Sequence, residues 1–478
     1  MCRQTEQSNK TAERYPLLNC SAEQLADTVV AYQHGIAIKA PEFLHQVRSV
    51  SAALSTYANG KYCLNVCQDR YQITVLLAAV MLAQQVSLLP PNTAELTLNS
   101  LCKQFESTLV VCDEAHLAQF ELAGQPYSIG TLTFEHLYKR GQSLLKSEEP
   151  ADNISFDAKQ CVGILFTSGS TGDPTPNPRG WGALCESARA EAHALDLFTL
   201  VSSQDTAAKP TVVGTVPAQH SYGIESTVAM CLQNRFAIAS DASFFPADIL
   251  AALANVPRPR VLVTTPYHLK LLLEAIELTT APTIDVVVSA TAPLSPQLAA
   301  QAEKQLSCPV REIFGSTESG QIAARRTTQT DVWTLFPNTF LESKNDQTWA
   351  SGGHVAGEKL LNDIVEILPD NQFKLLGRTS DMVNMAGKRT SLGNLNFHLN
   401  SIEGVLDGVF YLPEIEDGAL ITRLQAVVVS TELSSAQIIA ELRKKIDPIF
   451  LPRKIRIVAK IPRNATGKVT QAILNSLQ

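Results

Sequence analysis

Five short apolar runs recur through the middle of the chain, at residues 161–166, 211–216, 261–265, 284–289 and 310–314. Runs of this length bounded by polar clusters read as buried strands. Helix-like stretches lie between them. One starts at Ser295-Pro296, where Ser295 can cap and Pro296 suits a first helical turn. Alternation of this kind predicts α/β layers. Between residues 20 and 145 helical patterns also alternate with short apolar runs. The longest apolar run, residues 73–89, is interrupted by Gln84 and Gln85. It is too short and too broken for a membrane span and reads as one buried helix. Residues 1–20 are polar and predict a loose terminus. Residues 146–158, with Glu148, Glu149 and Pro150, read as a connector.

With 478 residues the chain exceeds one ordinary core, so two or three domains are expected. Its 45% hydrophobic and 18% charged residues are those of a globular protein. A net charge of −7 gives no case for nucleic-acid binding. The polar start leads into no signal-peptide core, which points to a cytoplasmic protein. Of the ten cysteines, Cys63 and Cys67 are the closest pair, and no second pair completes a zinc site. The cysteines read as reduced thiols that fill the core. The charge balance shifts near residue 378. Residues 379–478 carry 12 Lys+Arg against 9 Asp+Glu, a balance of +3, and the remainder carries 27 against 37, a balance of −10. A large domain over 1–378 and a small one over 379–478 are therefore expected. The small one has strand-like residues 426–429 and 455–459 and a helix after Ser434-Ser435. Its basic residues Arg443, Lys444, Lys445, Arg453, Lys454 and Arg456 form either a solvated face or a contact for an acidic partner or phosphates.

Four polar clusters carry candidate chemistry. Thr167, Ser168, Gly169, Ser170, Thr171 and Gly172 follow the first mid-chain strand. Small residues let backbone N–H groups and hydroxyls close on a polyanion. Phe314, Gly315, Ser316, Thr317 and Glu318 form a second strand-to-turn element, and the Glu318 carboxylate suits Mg²⁺. Asp363 and Arg378, the latter in Gly377-Arg378-Thr379-Ser380-Asp381, can hold a ribose or simply pair with each other. Pro462–Val469 contains Gly467-Lys468, where Lys468 is a movable cation or a solvated surface lysine. Neither Gly-rich loop fits the Walker pattern.

In this order the four clusters resemble the adenylate-forming superfamily: acyl- and aryl-CoA synthetases, peptide-synthetase adenylation domains and firefly luciferase. The first matches its Thr-Ser-Gly-Ser-Thr-Gly phosphate loop and the second its Tyr-Gly-Ser-Thr-Glu element. Gly377-Arg378, Asp381 and Gly387-Lys388-Arg389 match its hinge region, and Pro462–Val469 its terminal signature. The resemblance runs from about residue 60 to the C-terminus. Asn65-Val66-Cys67-Gln68-Asp69-Arg70-Tyr71, Leu88-Leu89-Pro90-Pro91-Asn92 and Gly387-Lys388-Arg389 after Val383-Asn384 are most similar to the ligases of bacterial aryl-polyene clusters.

The resemblance implies a large α/β body of layered, mostly parallel sheets and a small mobile C-terminal α+β lid. It implies ATP-dependent activation of a carboxylic acid as acyl-AMP, then transfer to coenzyme A or to the phosphopantetheine of an acyl carrier protein. The phosphate-loop residues would hold the β- and γ-phosphates. Thr317 would touch the α-phosphate, Glu318 would ligate Mg²⁺, and Asp363 and Arg378 would hold the ribose. Ala290, Thr291 and Ala292 match the adenine-contacting strand end, and Phe314, Gly315 and Ser316 the adjacent nucleotide contact. Gly387 would face the pantetheine tunnel. Lys468 would bridge the acid and the α-phosphate. His220, with Tyr222 and Gly223, matches the acyl-pocket segment, although a satisfied core histidine is an equal reading.

Two residues depart from the family pattern. Thr175 stands where a Lys usually follows the phosphate loop, leaving Arg179 as the next cation. Ser380 stands at the hinge position. The acid implied is a hydroxylated aromatic one such as 4-hydroxybenzoate. A medium-chain fatty acid is the alternative, and a non-catalytic acyl- or nucleotide-binding protein of the same fold is a reading of another class.

Overall fold

The computed structural model describes residues 13–57, 60–117, 128–145, 152–168, 174–200, 209–241, 243–276, 281–345, 347–378, 382–385, 388–413, 423–462 and 469. The chain forms two compact units. The first comprises Met1–Ala242 with Asn255–Pro257, and the second Ser243–Ala254 with Arg258–Gln478.

The first unit holds a six-stranded sheet in the order Pro174–Gly180, Cys161–Ser168, Val86–Leu89, Tyr62–Asn65, Thr108–Cys112, Ser128–Thr133. All neighbours are parallel except the first pair. Pro174–Gly180 reads Pro-Thr-Pro-Asn-Pro-Arg-Gly, with prolines at alternate positions. Proline cannot donate to a ladder, and this strand lies at the sheet's edge. The alternating residues Thr175, Asn177 and Arg179 are left to face the partner strand. In the same unit Thr211–Gly214 and Val29–Gln33 flank Ala237–Ala239 in parallel, and Ile36–Lys39 closes antiparallel on Val29–Gln33.

Three expectations are corrected here. The apolar run 73–89 is two elements, helix Arg70–Leu82 and strand Val86–Leu89. Asp69 caps the helix by accepting from the Gln72 N–H at 2.9 Å. Gln84, at φ 58°, turns the chain between the elements. A fully buried strand and a buried helix are equally apolar, so periodicity could not separate them. The polar start is not loose throughout, because Arg14–Pro16 pairs antiparallel with Ser155–Asp157. That second strand lies inside the expected connector, whose residues 146–151 are outside the described set.

In the second unit Arg260–Thr264, Val286–Ser289 and Val310–Ser316 are parallel. The sheet then continues antiparallel through Gly320–Arg325, Val332–Leu335, Gln372–Arg378 and Asp363–Leu368. These antiparallel strands extend the parallel part of the sheet. Ser295 caps helix Pro296–Leu306, its Oγ accepting from Leu298 N–H at 3.2 Å. Toward the C-terminus, strands Asp407–Tyr411, Gln425–Val429 and Lys454–Ile457 form one sheet with helices Leu392–Asn400 and Ser435–Leu442. Leu395, Leu399, Phe410, Val428, Ile438, Leu442 and Phe450 give this segment its own buried cluster. Every cysteine among the described residues is a free thiol and most are buried. No helix among the described residues is long and apolar enough to cross a membrane.

Candidate active site

In the first unit Thr167 and Ser168 end the strand Cys161–Ser168, where Thr175 pairs with Thr167 and Pro174 with Ser168. Gly169, Ser170, Thr171 and Gly172 lie outside the described residues. His220 begins a helical segment that runs as Ser221–Gly223, a π-helical turn Ile224–Ala229, and Met230–Asn234. π-turns inside helices recur at functional sites. His220 is half-buried rather than a core residue. Its Nε2 lies 3.1 Å from the Pro91 carbonyl. A carbonyl only accepts, so Nε2 is the protonated nitrogen of this contact. Next to it, Gln219 Nε2 donates to the Cys67 carbonyl at 2.5 Å. A side chain at Gly223 would run into the Pro217 carbonyl, so only glycine lets the helix start this close to the preceding loop.

In the second unit Phe314–Ser316 ends its strand in a tight turn. The register slips between Phe314 and Gly315. A Cβ at Gly315 would meet the Gly320 carbonyl and lie 2.6 Å from the Gln321 Cα. The turn is tied by serines. Ser319 N–H donates to Ser316 Oγ at 3.2 Å, Ser316 N–H to Ser319 Oγ at 3.3 Å, and the hydroxyls are 3.1 Å apart. Thr317 and Glu318 are half-buried on this turn. Behind it, Phe314 packs on the rings of Trp333 and Phe373. Asp363 and Arg378 are direct partners across their antiparallel strands, and Asp363 is buried.

Ala290, Thr291 and Ala292 follow Val286–Ser289, with Ala290 N–H donating to the Thr264 carbonyl. Thr291 sits at φ 76°. A β-branched residue there is a conformational outlier, and such strain gathers at ligand sites. Gly387, Ser380, Asp381 and Lys468 lie outside the described residues. Lys388, beside Gly387, is ion-paired with Asp447.

A family model described as AMP-binding enzyme matches residues 19–370. The chain belongs to the AMP-binding enzyme family. It is 25% identical to a 4-coumarate–CoA ligase of Halorhodospira halophila over 330 residues, 67% of this chain and 78% of that one. It is 29% identical over 151 residues to the medium/long-chain-fatty-acid–acyl-carrier-protein ligase FadD10 of Mycobacterium tuberculosis, covering 30% of this chain and 28% of that protein. Its fold matches ATP-bound MatB from Rhodopseudomonas palustris with a TM-score of 0.79 and 20% identity, over 96% of this chain and 97% of that one.

In this AMP-binding enzyme Arg179, the next cation after Thr175, meets side chains of the helical segment that follows His220. It lies four residues beyond Thr175, about 13 Å along the strand. Its Nη2 lies 3.4 Å from Glu225 Oε1 and 3.4 Å from Ser221 Oγ. Glu225 also accepts from Ser221 Oγ at 2.6 Å and Ser187 Oγ at 3.2 Å. Nearby, burial pushes the Glu191 carboxyl up to about 8, with Glu225 adding to the rise and a hydrogen bond from Ser226 opposing it. On its other side the π-turn is held by Arg70. This buried guanidinium donates to Thr227 Oγ1 at 2.5 Å and to the Gly214 and Val216 carbonyls at 2.9 and 2.8 Å. Burial lowers its pKa to about 10. Asp69 is tied to Ser240 Oγ at 2.7 Å and Gln33 Nε2 at 3.1 Å. The motif pattern alone missed Glu225 and Glu191. One signal was present: a lone carboxylate in Ile224-Glu225-Ser226-Thr227-Val228-Ala229-Met230, an otherwise uncharged and largely apolar run, demands a buried partner.

Proposed function

We propose that this AMP-binding enzyme activates a carboxylic acid with ATP as acyl-AMP, releasing pyrophosphate, and then passes the acyl group to a thiol. The observation that carries the reading is the register that sets Asp363 opposite Arg378, in a chain whose family is that of AMP-binding enzymes. An Asp and an Arg at facing register positions are residue types that suit the hydroxyls of a ribose. The two reactants are both anions, so their meeting calls for cations and fixed dipoles at one point. Lys468 is the residue for that role, with Thr317 at the α-phosphate and the loop from Thr167 to Gly172 around the outer phosphates. Mg²⁺ fits Glu318. A nucleotide-bound Mg²⁺ keeps waters and phosphate oxygens and needs only one or two carboxylates, and the half-buried turn offers one carboxylate beside the Thr317 hydroxyl. The ion would neutralise phosphate charge there.

The acid in this reading is aromatic, with His220 and Tyr222 lining its pocket. The name of the 4-coumarate ligase relative favours an aromatic acid, and that of FadD10 keeps a fatty acid and a carrier-protein acceptor as the alternatives. Residues 379–478 act as the lid that brings Lys468 in for adenylation and the Gly387 face in for thiolysis.

Lys468→Ala tests the assignment. Acid-dependent exchange of labelled pyrophosphate into ATP should fall by about 100-fold or more, while thiolysis of supplied acyl-AMP persists. A variant that forms adenylate at the normal rate removes Lys468 from the first step. A wild-type protein that binds ATP but supports no pyrophosphate exchange with any acid is a non-catalytic binder.

A further inference from the structure

The departure at Thr175 makes Arg179 the next cation after the phosphate loop, and the fold gives it partners in the helical segment after His220. Arg179 closes one end of the edge strand whose other end pairs with Thr167 and Ser168. Three alternating prolines fix φ along this strand, which makes it a stiff strut. At the far end the guanidinium meets Glu225 and Ser221 in the first turns of the helix that His220 begins. The Glu225 side chain is 2% exposed and that of Arg179 14%. Burying an ion pair is a poor way to gain stability, because an apolar pair of similar volume often does as well. Its better-attested use is to fix register between elements.

We infer that Arg179 is a positioning residue: held by Glu225 and Ser221, it fixes the spacing between the hairpin carrying Thr167 and the helix start carrying His220. The inference rests on the function proposed above, in which those two segments serve the phosphates and the acid. Neither Arg179 nor Glu225 touches substrate in this account. Their effect passes through the strut on one side and the helix start on the other.

A double-mutant cycle of Arg179→Met, Glu225→Gln and the pair tests it, using the acid that supports pyrophosphate exchange best in the wild type. KM for the acid and for ATP, kcat and the unfolding midpoint are measured for each. Arg179→Met should raise both KM values about tenfold with a smaller change in kcat, and the double variant should be no worse than the worse single variant, since contacting residues are not additive. If Arg179→Met fails to fold, Arg179→Met/Glu225→Met keeps the volume filled without an unpaired charge, and its KM values should rise with a midpoint near that of the wild type. A fall in midpoint with both KM values unchanged overturns the inference, as does strict additivity in the cycle. A wild-type enzyme inactive with every acid overturns the proposed function, and this inference with it.

Discussion

The segment after His220 and the turn at Phe314–Glu318 serve one proposed chemistry but are built in opposite ways. The first is held by buried charged side chains that come from far away in sequence. Arg70 reaches Gly214, Val216 and Thr227, and Arg179 reaches Ser221 and Glu225. The second is held within a few residues, by a glycine bulge and two serines that bond each other's backbone. Long-range bracing makes geometry depend on distant elements being folded, whereas local bracing lets a turn keep its shape by itself. The difference sets what each site should tolerate.

The largest effect is expected at the braced helix. Arg70→Met fills the space but removes the donor to two carbonyls and a hydroxyl. Leaving such groups unpaired costs about 3 kcal/mol, and the loss should appear as a lower unfolding midpoint together with a raised KM for the acid. A midpoint within about 0.5 kcal/mol of the wild type, the range of neutral surface changes, would mean that the helix does not depend on this clamp. Gly315→Ala comes next. Its methyl would press on the backbone of residues 320 and 321, so the turn must open at a cost of about 1–3 kcal/mol. Because the turn is local, the damage should fall on nucleotide handling: KM for ATP should rise while KM for the acid stays within about twofold, a change under 0.5 kcal/mol. Equal losses for both substrates would erase the contrast between the two regions.

The same contrast explains what could be read from the chain. Local devices were visible. The Ser295 cap, the run from Phe314 to Glu318 and the five mid-chain strands all follow from residue types within a few positions. Asp363 and Arg378 could be named as a pair, but their facing each other depends on a register bulge between Ile364 and Val365 that no spacing rule supplies. The braces were not visible. Arg70 and Thr227 are 157 residues apart, and Arg179 and Glu225 are 46 apart. From the chain alone Arg179 was simply the next cation after the loop, and its contact with Glu225 appears only in the fold. The run 73–89 failed for another reason: burial on all sides erases the period that separates helix from strand.

The last effect is a dependence on pH that the buried carboxyl of Glu191, close to Glu225 of the braced helix, should show. Burial holds the Glu191 carboxyl near 8 in the folded chain, against an ordinary value of 4.5. Between those values the unfolded chain gives up a proton that the folded chain keeps. The folded state therefore loses stability as pH rises from about 4.5 to about 8, and beyond that the loss is constant. Glu191→Gln carries no such titration. Its midpoint relative to the wild type should climb across that window by a few degrees. Ser319→Ala, in the serine-tied turn, removes no titrating group and should show a midpoint offset that does not change with pH. A flat offset for Glu191→Gln as well would mean that Glu191 is already ionised in the folded protein, with Arg179 or another cation serving both carboxylates rather than Glu225 alone.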